Sequence, residues 1–180
     1  MSRAYYYVVA SLPMLEFGAR PPLTGEAFLA ECRRLTDPRD FDLIQKAYRD
    51  DPAASSTENT FWQDWAAFSR ELRNQLVVAR ARNLGKDAAP YLKETSARDM
   101  VVNLVGEALK APDPWTAEKI LDRGRWLRLD ELSQGHHFDL EMLIAYAVRL
   151  RILERHQAVA SSRGAEIYEG YKNAVLTSNS

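Results

Sequence analysis

The sequence has little of several features that mark common functional classes. It contains one cysteine, Cys32, so it can form neither an internal disulfide nor a metal site with two thiolates. Its 24 lysines and arginines are balanced by 25 aspartates and glutamates, which argues against a dedicated nucleic-acid binder. No uninterrupted apolar run approaches the ~20 residues that a membrane-spanning helix needs.

The N-terminal segment matches a secretory signal poorly. One arginine precedes an apolar stretch that is interrupted by three tyrosines and stopped by Pro13. Cys32 lies among residues with helical apolar spacing, where a lone thiol is typical of a small buried hydrophobe in a reducing compartment. We therefore expect a cytoplasmic protein that is neither exported nor integral to a membrane.

Nucleotide-binding motifs are also missing. The single Gly-Lys pair, Gly85 and Lys86, has no preceding glycine at P-loop spacing, and aspartate follows where serine or threonine would hold magnesium. The glycines never form a dinucleotide-binding GxGxxG turn. We expect no cofactor and no catalytic residues.

One cluster, His136 and His137 with Asp139 and Glu141, has metal-ligating chemistry. Adjacent histidines on a helix point in different directions, so we expect a polar loop that caps the next helix rather than a metal site. The alternative is a metal-dependent enzyme that uses these histidines and acids.

Glu154, Arg155 and His156 could supply acid and base groups, but nothing pairs them with a nucleophile or an oxyanion donor. Surface ion pairing is the role we expect for these three residues.

Much of the chain has the three- and four-residue apolar spacing of amphipathic helices. Thr24 is expected to cap one helix, and Asp37 with Pro38 to start the next. A longer pattern covers about residues 58–84 and ends at Gly85. Its apolar stripe consists of Phe61, Trp65, Phe68, Leu72, Leu76 and Ala79.

The second half of the chain repeats these start signals. Ser96 with Asp99 resembles a capping box for a helix to about residue 110, and Asp113 with Pro114 starts a helix to about residue 132. The residues expected to be buried on these two helices are Met100, Leu104, Leu109, Ile120, Leu121 and Leu127.

A long helix is predicted to open at Phe138 or Asp139. Its first half is apolar on nearly all sides, which predicts a buried central post. Gly164 is expected to separate it from a short final helix. The apolar segment from residue 5 to residue 12 fits either a short strand or a buried helical turn.

Together these elements predict an all-α bundle of about six to seven helices with long central helices. The chain length suits one domain. The linker around Pro90 allows a division of that domain into two helical lobes, residues 1–87 and 88–180.

The opening YYYVVASLPMLEFGARPPLTGEAFL resembles the N-terminus of an uncharacterised bacterial family. Genes of this family lie beside those for V-type ATPase subunits, in operons that lack the ordinary C-type subunit. The resemblance is close over about the first 30 residues and continues more loosely through FWQDWAAFSRELRNQLVVARARNLG.

A second segment, MLIAYAVRLRILERHQAVASSRG, is similar to a helix of the C-type subunit, also called the d-type subunit, of archaeal and vacuolar-type ATPases. LRNQL resembles another helix of that family. The positions that these resemblances imply as family-motif or interaction residues are Tyr5, Tyr6, Tyr7, Pro13, Arg73, Asn74, Tyr146, Glu154 and Arg155.

The resemblance implies an all-helical, non-catalytic subunit that links the central stalk to the membrane rotor ring of a proton- or sodium-translocating ATPase. It implies no cofactor, and a location at the inner membrane through the complex. The C-type subunit is longer and has three related modules, so the resemblance does not extend to a closed funnel. The main alternative is a helical protein-interaction module with a different partner.

Overall fold

A computed structural model describes the backbone of residues 5–50, 59–92 and 99–178, and the side chains of these ranges apart from 99–100 and 163–178. The described ranges contain no strand, and their seven α-helices confirm the all-α prediction. The helices are α1 (Tyr6–Ser11), α2 (Gly25–Leu35), α3 (Pro38–Arg49), α4 (Thr60–Asn83), α5 (Asp99–Ala108), α6 (Pro114–Leu132) and α7 (Leu140–Ser178).

The helix starts follow the capping signals in the sequence. Thr24 accepts a hydrogen bond from the backbone of the first turn of α2, and Asp37 does the same for α3. Asp113 accepts from two backbone N–H groups of α6, whose first residue is Pro114. These caps satisfy donors that a helix leaves unpaired. The predicted cap at Ser96 lies outside the described residues.

The N-terminal apolar segment is a helix, which decides between the two alternatives that the sequence leaves open. Its flanking residue Tyr5 is buried, donates its hydroxyl to the Asp40 carboxylate and accepts from the backbone N–H of Asp37 at 3.3 Å. Val8 is buried beside it. These contacts hold α1 near the start of α3, and the described residues offer no strand with which this segment could pair.

Helix α7 is the central post that its apolar first half predicts. It packs against α2, α3, α4 and α6, most extensively against α3. The residues of α7 that are completely buried are Leu143, Ile144, Ala145, Ala147, Leu150 and Leu153.

The predicted break at Gly164 is wrong, because α7 includes Gly164 and is one helix of 39 residues. One interior glycine costs a helix only about 1 kcal/mol relative to alanine, so it does not by itself end a helix. At about 1.5 Å per residue, α7 is roughly 58 Å long.

The helices form two groups around α7. Helices α2 and α3 pack against each other and against α7, whereas α4, α5 and α6 pack together and reach α7 through α4 and α6. Most of the buried apolar side chains of both groups belong to one continuous cluster. The division into lobes 1–87 and 88–180 stays a prediction, and α4 of the first range packs on α5 and α6 of the second.

Two residues expected in the core are exposed. Leu109 is 56% exposed just after α5, and Leu127 is 47% exposed on α6. Helix α6 instead buries Leu121, Trp126 and Leu129, so its inner face is rotated away from Leu127. Apolar spacing alone allows both orientations of this helix.

Within the described residues, no helix combines the length and the apolar character needed to cross a membrane.

The close approach of α2 to α3 at Gly25 yields a stability prediction. A Cβ atom at Gly25 would lie 1.9 Å from the hydroxyl oxygen of Tyr48, which donates a 2.5 Å hydrogen bond to Glu154. Gly25→Ala should displace the ring, break this bond and lower the free energy of unfolding by about 2–3 kcal/mol in urea titrations.

The matched control is Gly106→Ala in α5, where an added Cβ meets no atom within 4 Å. This control should be neutral or stabilising by up to about 1 kcal/mol. Equal unfolding free energies for the two variants would contradict the close packing at Gly25.

Candidate functional site

Several residues singled out by the sequence tie helices together. The Tyr146 hydroxyl donates to the backbone oxygen of Pro13 at 3.0 Å, which fixes the loop after α1 to α7. The Glu154 carboxylate accepts from the backbone N–H of Gly25 at 2.7 Å and from the Tyr48 hydroxyl. One carboxylate on α7 therefore holds both α2 and α3.

Arg73 and Asn74 lie on α4, and neither belongs to the His136 cluster or to the segment of Glu154, Arg155 and His156. Arg73 lies 3.5 Å from the carboxylate of Asp50, which also accepts a 3.1 Å hydrogen bond from Arg151 of α7. Asn74 is buried. These contacts place the Leu-Arg-Asn segment among the residues that join α4 to its neighbours.

Arg155 and His156 enter a polar network that is built around Asp122, a completely buried residue of α6. The Asp122 carboxylate accepts from Arg155, from Arg125 at 2.6 Å, and lies 2.8 Å from His156 Nε2. Glu118 bridges both arginines at 3.0 and 3.1 Å. Arg155 forms the ion pairs that the sequence led us to expect and stays partly exposed, whereas His156 and the Asp122 carboxylate are buried, so this network joins α6 to α7 below the surface as well as on it.

The two arginines determine the charge of this network. Burial alone would raise the pKa of Asp122, but the hydrogen bond from Arg155 and the charge of Arg125 outweigh it and hold that pKa below its ordinary value. Asp122 is therefore a carboxylate at neutral pH. Since His156 Nε2 faces this carboxylate, Nε2 carries a hydrogen and acts as the donor.

Two exposed aromatic residues pack together at the end of the bundle where α7 begins, and a third, Tyr7, occupies the next position of α1, where it lies beside Arg34 of α2. Tyr6 and Tyr7 are 65% and 69% exposed, and Tyr6 packs on Phe138 with ring centroids 5.0 Å apart. We call Tyr6, Tyr7 and Phe138 the aromatic ridge. Tyr5, the other residue of the tyrosine run, instead anchors α1 inside.

The loop before α7 brings His136 together with Asp139 and Glu141, whose candidate ligand atoms all lie within 4.8 Å of one another. His137 is exposed and does not join them. Asp139 caps α7 by accepting from the backbone N–H of Met142 at 3.2 Å.

The spacing of this cluster is that of a hydrogen-bonded cap. His136 Nδ1 lies 2.7 Å from Asp139 and 3.9 Å from Glu141, whose other oxygen accepts from Asn59 at 3.0 Å. Two ligands of one tetrahedral zinc ion lie about 3.3 Å apart, given metal–ligand distances of about 2.0–2.1 Å. The His136–Asp139 pair would have to separate to admit an ion.

A cavity of about 340 Å³ opens where the loop before α2, the start of α6 and the middle of α7 meet. We call it the cationic pocket; its lining includes Gly18, Arg20, Trp115, Lys119, His156 and Gln157. Sequence reasoning missed this site because its residues come from three distant segments and follow no common spacing.

Cys32 is completely buried in α2. Burial raises the pKa of its thiol to about 12, so the nucleophilic thiolate is scarce at neutral pH. This agrees with its predicted role as a small core hydrophobe.

Comparisons of the chain with protein-family models, curated proteins and solved structures found no match. The resemblance to the V-type ATPase-associated family and to the C-type subunit stays a prediction.

The buried carboxylate yields a second stability prediction. Asp122→Asn removes the buried one of the two carboxylates that Arg155 and Arg125 share and leaves them the more exposed Glu118, so it should lower the free energy of unfolding at neutral pH by about 3 kcal/mol. The control is Asp130→Asn on the same helix, where a half-exposed carboxylate pairs with Arg149 at 2.6 Å. We expect this control to cost less than about 1 kcal/mol.

The effect of Asp122→Asn should depend on pH. Because the folded-state pKa of Asp122 is depressed, its carboxylate stabilises the fold above about pH 4, and this contribution is lost as pH falls through the folded-state pKa. Urea titrations of wild type and variant should therefore converge at low pH. A difference that persists unchanged to about pH 3 would contradict the ionic role of Asp122.

Proposed function

We propose that this protein is a non-catalytic coupling subunit of a bacterial V-type ATPase, a link between the central stalk and the membrane rotor ring that resembles the C-type subunit. In this role it works in the cytoplasm, attached to the inner membrane only through the complex, and needs no cofactor. The proposal rests on the sequence resemblance to the ATPase-associated family and on how the resembling residues are used.

The observation that carries the proposal is a difference in position among the nine residues of the resemblance. Most of them hold the helices of this protein together, and two of them have exposed aromatic side chains. Six of them form polar contacts with residues of other segments, and Asn74 is buried; the six are Tyr5, Pro13, Arg73, Tyr146, Glu154 and Arg155. Tyr6 and Tyr7 are the members of this set that expose a large apolar side chain.

Exposed tyrosines are suited to partner binding. They offer a large apolar area and a hydroxyl group at a low cost in side-chain entropy, and tyrosine is enriched at interfaces and their hot spots. Tyr6 is further held in place by its contact with Phe138. The aromatic ridge is therefore the surface that we assign to contact with the ATPase.

The packing of α7 suits a protein that transmits force. Its buried half contacts α2, α3, α4 and α6. Charged contacts also join it to the end of α3 through Asp50 and to α6 through Asp122. A load applied at one end would be shared among several helices that are close-packed and resist compression.

A helical interaction module with an unrelated partner would use the same fold and the same aromatic ridge. The identity of the bound protein separates the two proposals. Affinity-tagged chain recovered from native membranes under conditions that preserve the ATPase should carry stalk and rotor-ring subunits with it. Recovery of the chain free of these subunits would contradict the ATPase assignment.

The double variant Tyr6→Ala/Tyr7→Ala tests the surface. It should reduce the recovery of ATPase subunits at least about tenfold, because loss of central interface aromatics costs about 2 kcal/mol or more. Tyr91→Ala is the control, since Tyr91 is 71% exposed but lies at a distant turn after α4. Undiminished recovery with the double variant, or equal loss with the control, would remove the aromatic ridge from the proposal.

A further inference from the structure

The cationic pocket has positive charge that no carboxylate among the described side chains neutralises. Arg20 and Lys119 lie on its wall, and no carboxylate of the described residues is within ion-pairing distance of either. The nearby acids Glu118 and Asp122 are occupied by Arg125 and Arg155. The wall therefore presents two positive charges to any molecule that enters.

Arg20 is held in place by a neutral group. The side-chain oxygen of Gln157 accepts from Arg20 Nε and Nη2 at 3.2 and 3.3 Å in the amide orientation that suits both groups. This contact orients the guanidinium without cancelling its charge. It leaves Arg20 able to bind an anion, the role for which its fork of donors is well suited.

The pocket also has an ordered aromatic wall. Trp115 packs edge-on against His156 with ring centroids 5.2 Å apart, and Phe17 packs on His156 at 5.6 Å. His156 Nε2 is bound to Asp122, so three contacts fix its ring. Lys119 Nζ lies 5.8 Å from the centroid of Trp115, which places a cation beside the aromatic surface.

From this combination we propose that the cationic pocket binds a small phosphate monoester that carries a flat ring. A phosphate monoester has a charge of about −1.5 to −2 at neutral pH, which matches two uncompensated cations better than a singly charged carboxylate does. The flat ring would pack on Trp115. The cavity of about 340 Å³ is in the size range of small-ligand sites.

This assignment is independent of the proposed ATPase role, because none of the pocket residues belongs to the aromatic ridge. It adds a ligand-binding function beside the Asp122 network and the Glu154 contacts, which join helices. Residues of α6 and α7 line the pocket, and one of them, His156, also belongs to the Asp122 network. A bound ligand would therefore contact the same two helices that Asp122 joins.

Isothermal titration calorimetry with adenosine 5′-monophosphate as the probe tests the proposal. Adenosine supplies the ring without the charge, and inorganic phosphate supplies the charge without the ring. We expect adenosine 5′-monophosphate to bind at least about tenfold more tightly than adenosine or inorganic phosphate. Adenosine lacks the ionic contacts with the two cations, and inorganic phosphate lacks the packing on the aromatic ring. No heat of binding at millimolar monophosphate, or equal binding of inorganic phosphate, would overturn the proposal.

The location is tested with Arg20→Gln/Lys119→Gln. Both side chains are on exposed residues, so the variant should fold, and its affinity for the monophosphate should fall at least about tenfold. Arg39→Gln/Lys110→Gln is the matched control, because it removes the same total charge from exposed residues outside the pocket. Equal loss in both variants, or no loss in the first, would show that the pocket is not the binding site.

Discussion

The structure depends on the burial of the apolar half of α7. Between Leu143 and Leu153 this helix has buried residues on nearly every side, and four other helices supply the surfaces that cover it. A helix of this kind cannot remain in water alone, because each buried leucine or isoleucine contributes about 1.5–3 kcal/mol when it leaves solvent. The arrangement of α2, α3, α4 and α6 follows from that requirement.

Polar contacts then set the orientation of the covering helices. Glu154 and Arg155 are neighbours on α7 and point about 100° apart, so the first binds α2 and α3 while the second binds α6. Burying the Asp122 carboxylate is costly, and three donors are needed to offset that cost. Hydrophobic burial holds the helices together, and these charged contacts specify which faces meet.

Much of the fold could be predicted because its signals are local. Thr24, Asp37 and Asp113 act on the next turn of their own helices, and the apolar half of α7 identifies a buried helix from composition alone. Spacing places Leu127 wrongly because the rotation of α6 depends on its neighbours. The Asp122 network and the cationic pocket join distant segments, and only tertiary contacts bring them together. Residue types alone identify the His136 cluster, but the 2.7 Å distance from His136 Nδ1 to Asp139 shows that it is a hydrogen-bonded cap.

Native-state hydrogen exchange can show whether α7 is the last helix to open. If α7 is the element that the other helices cover, the amides of residues 143–153 should exchange only through global unfolding and be the slowest in the chain, whereas amides of the less buried α5 should exchange through smaller openings. Exchange of residues 143–153 at a lower opening free energy than the interiors of α4 and α6 would contradict the account.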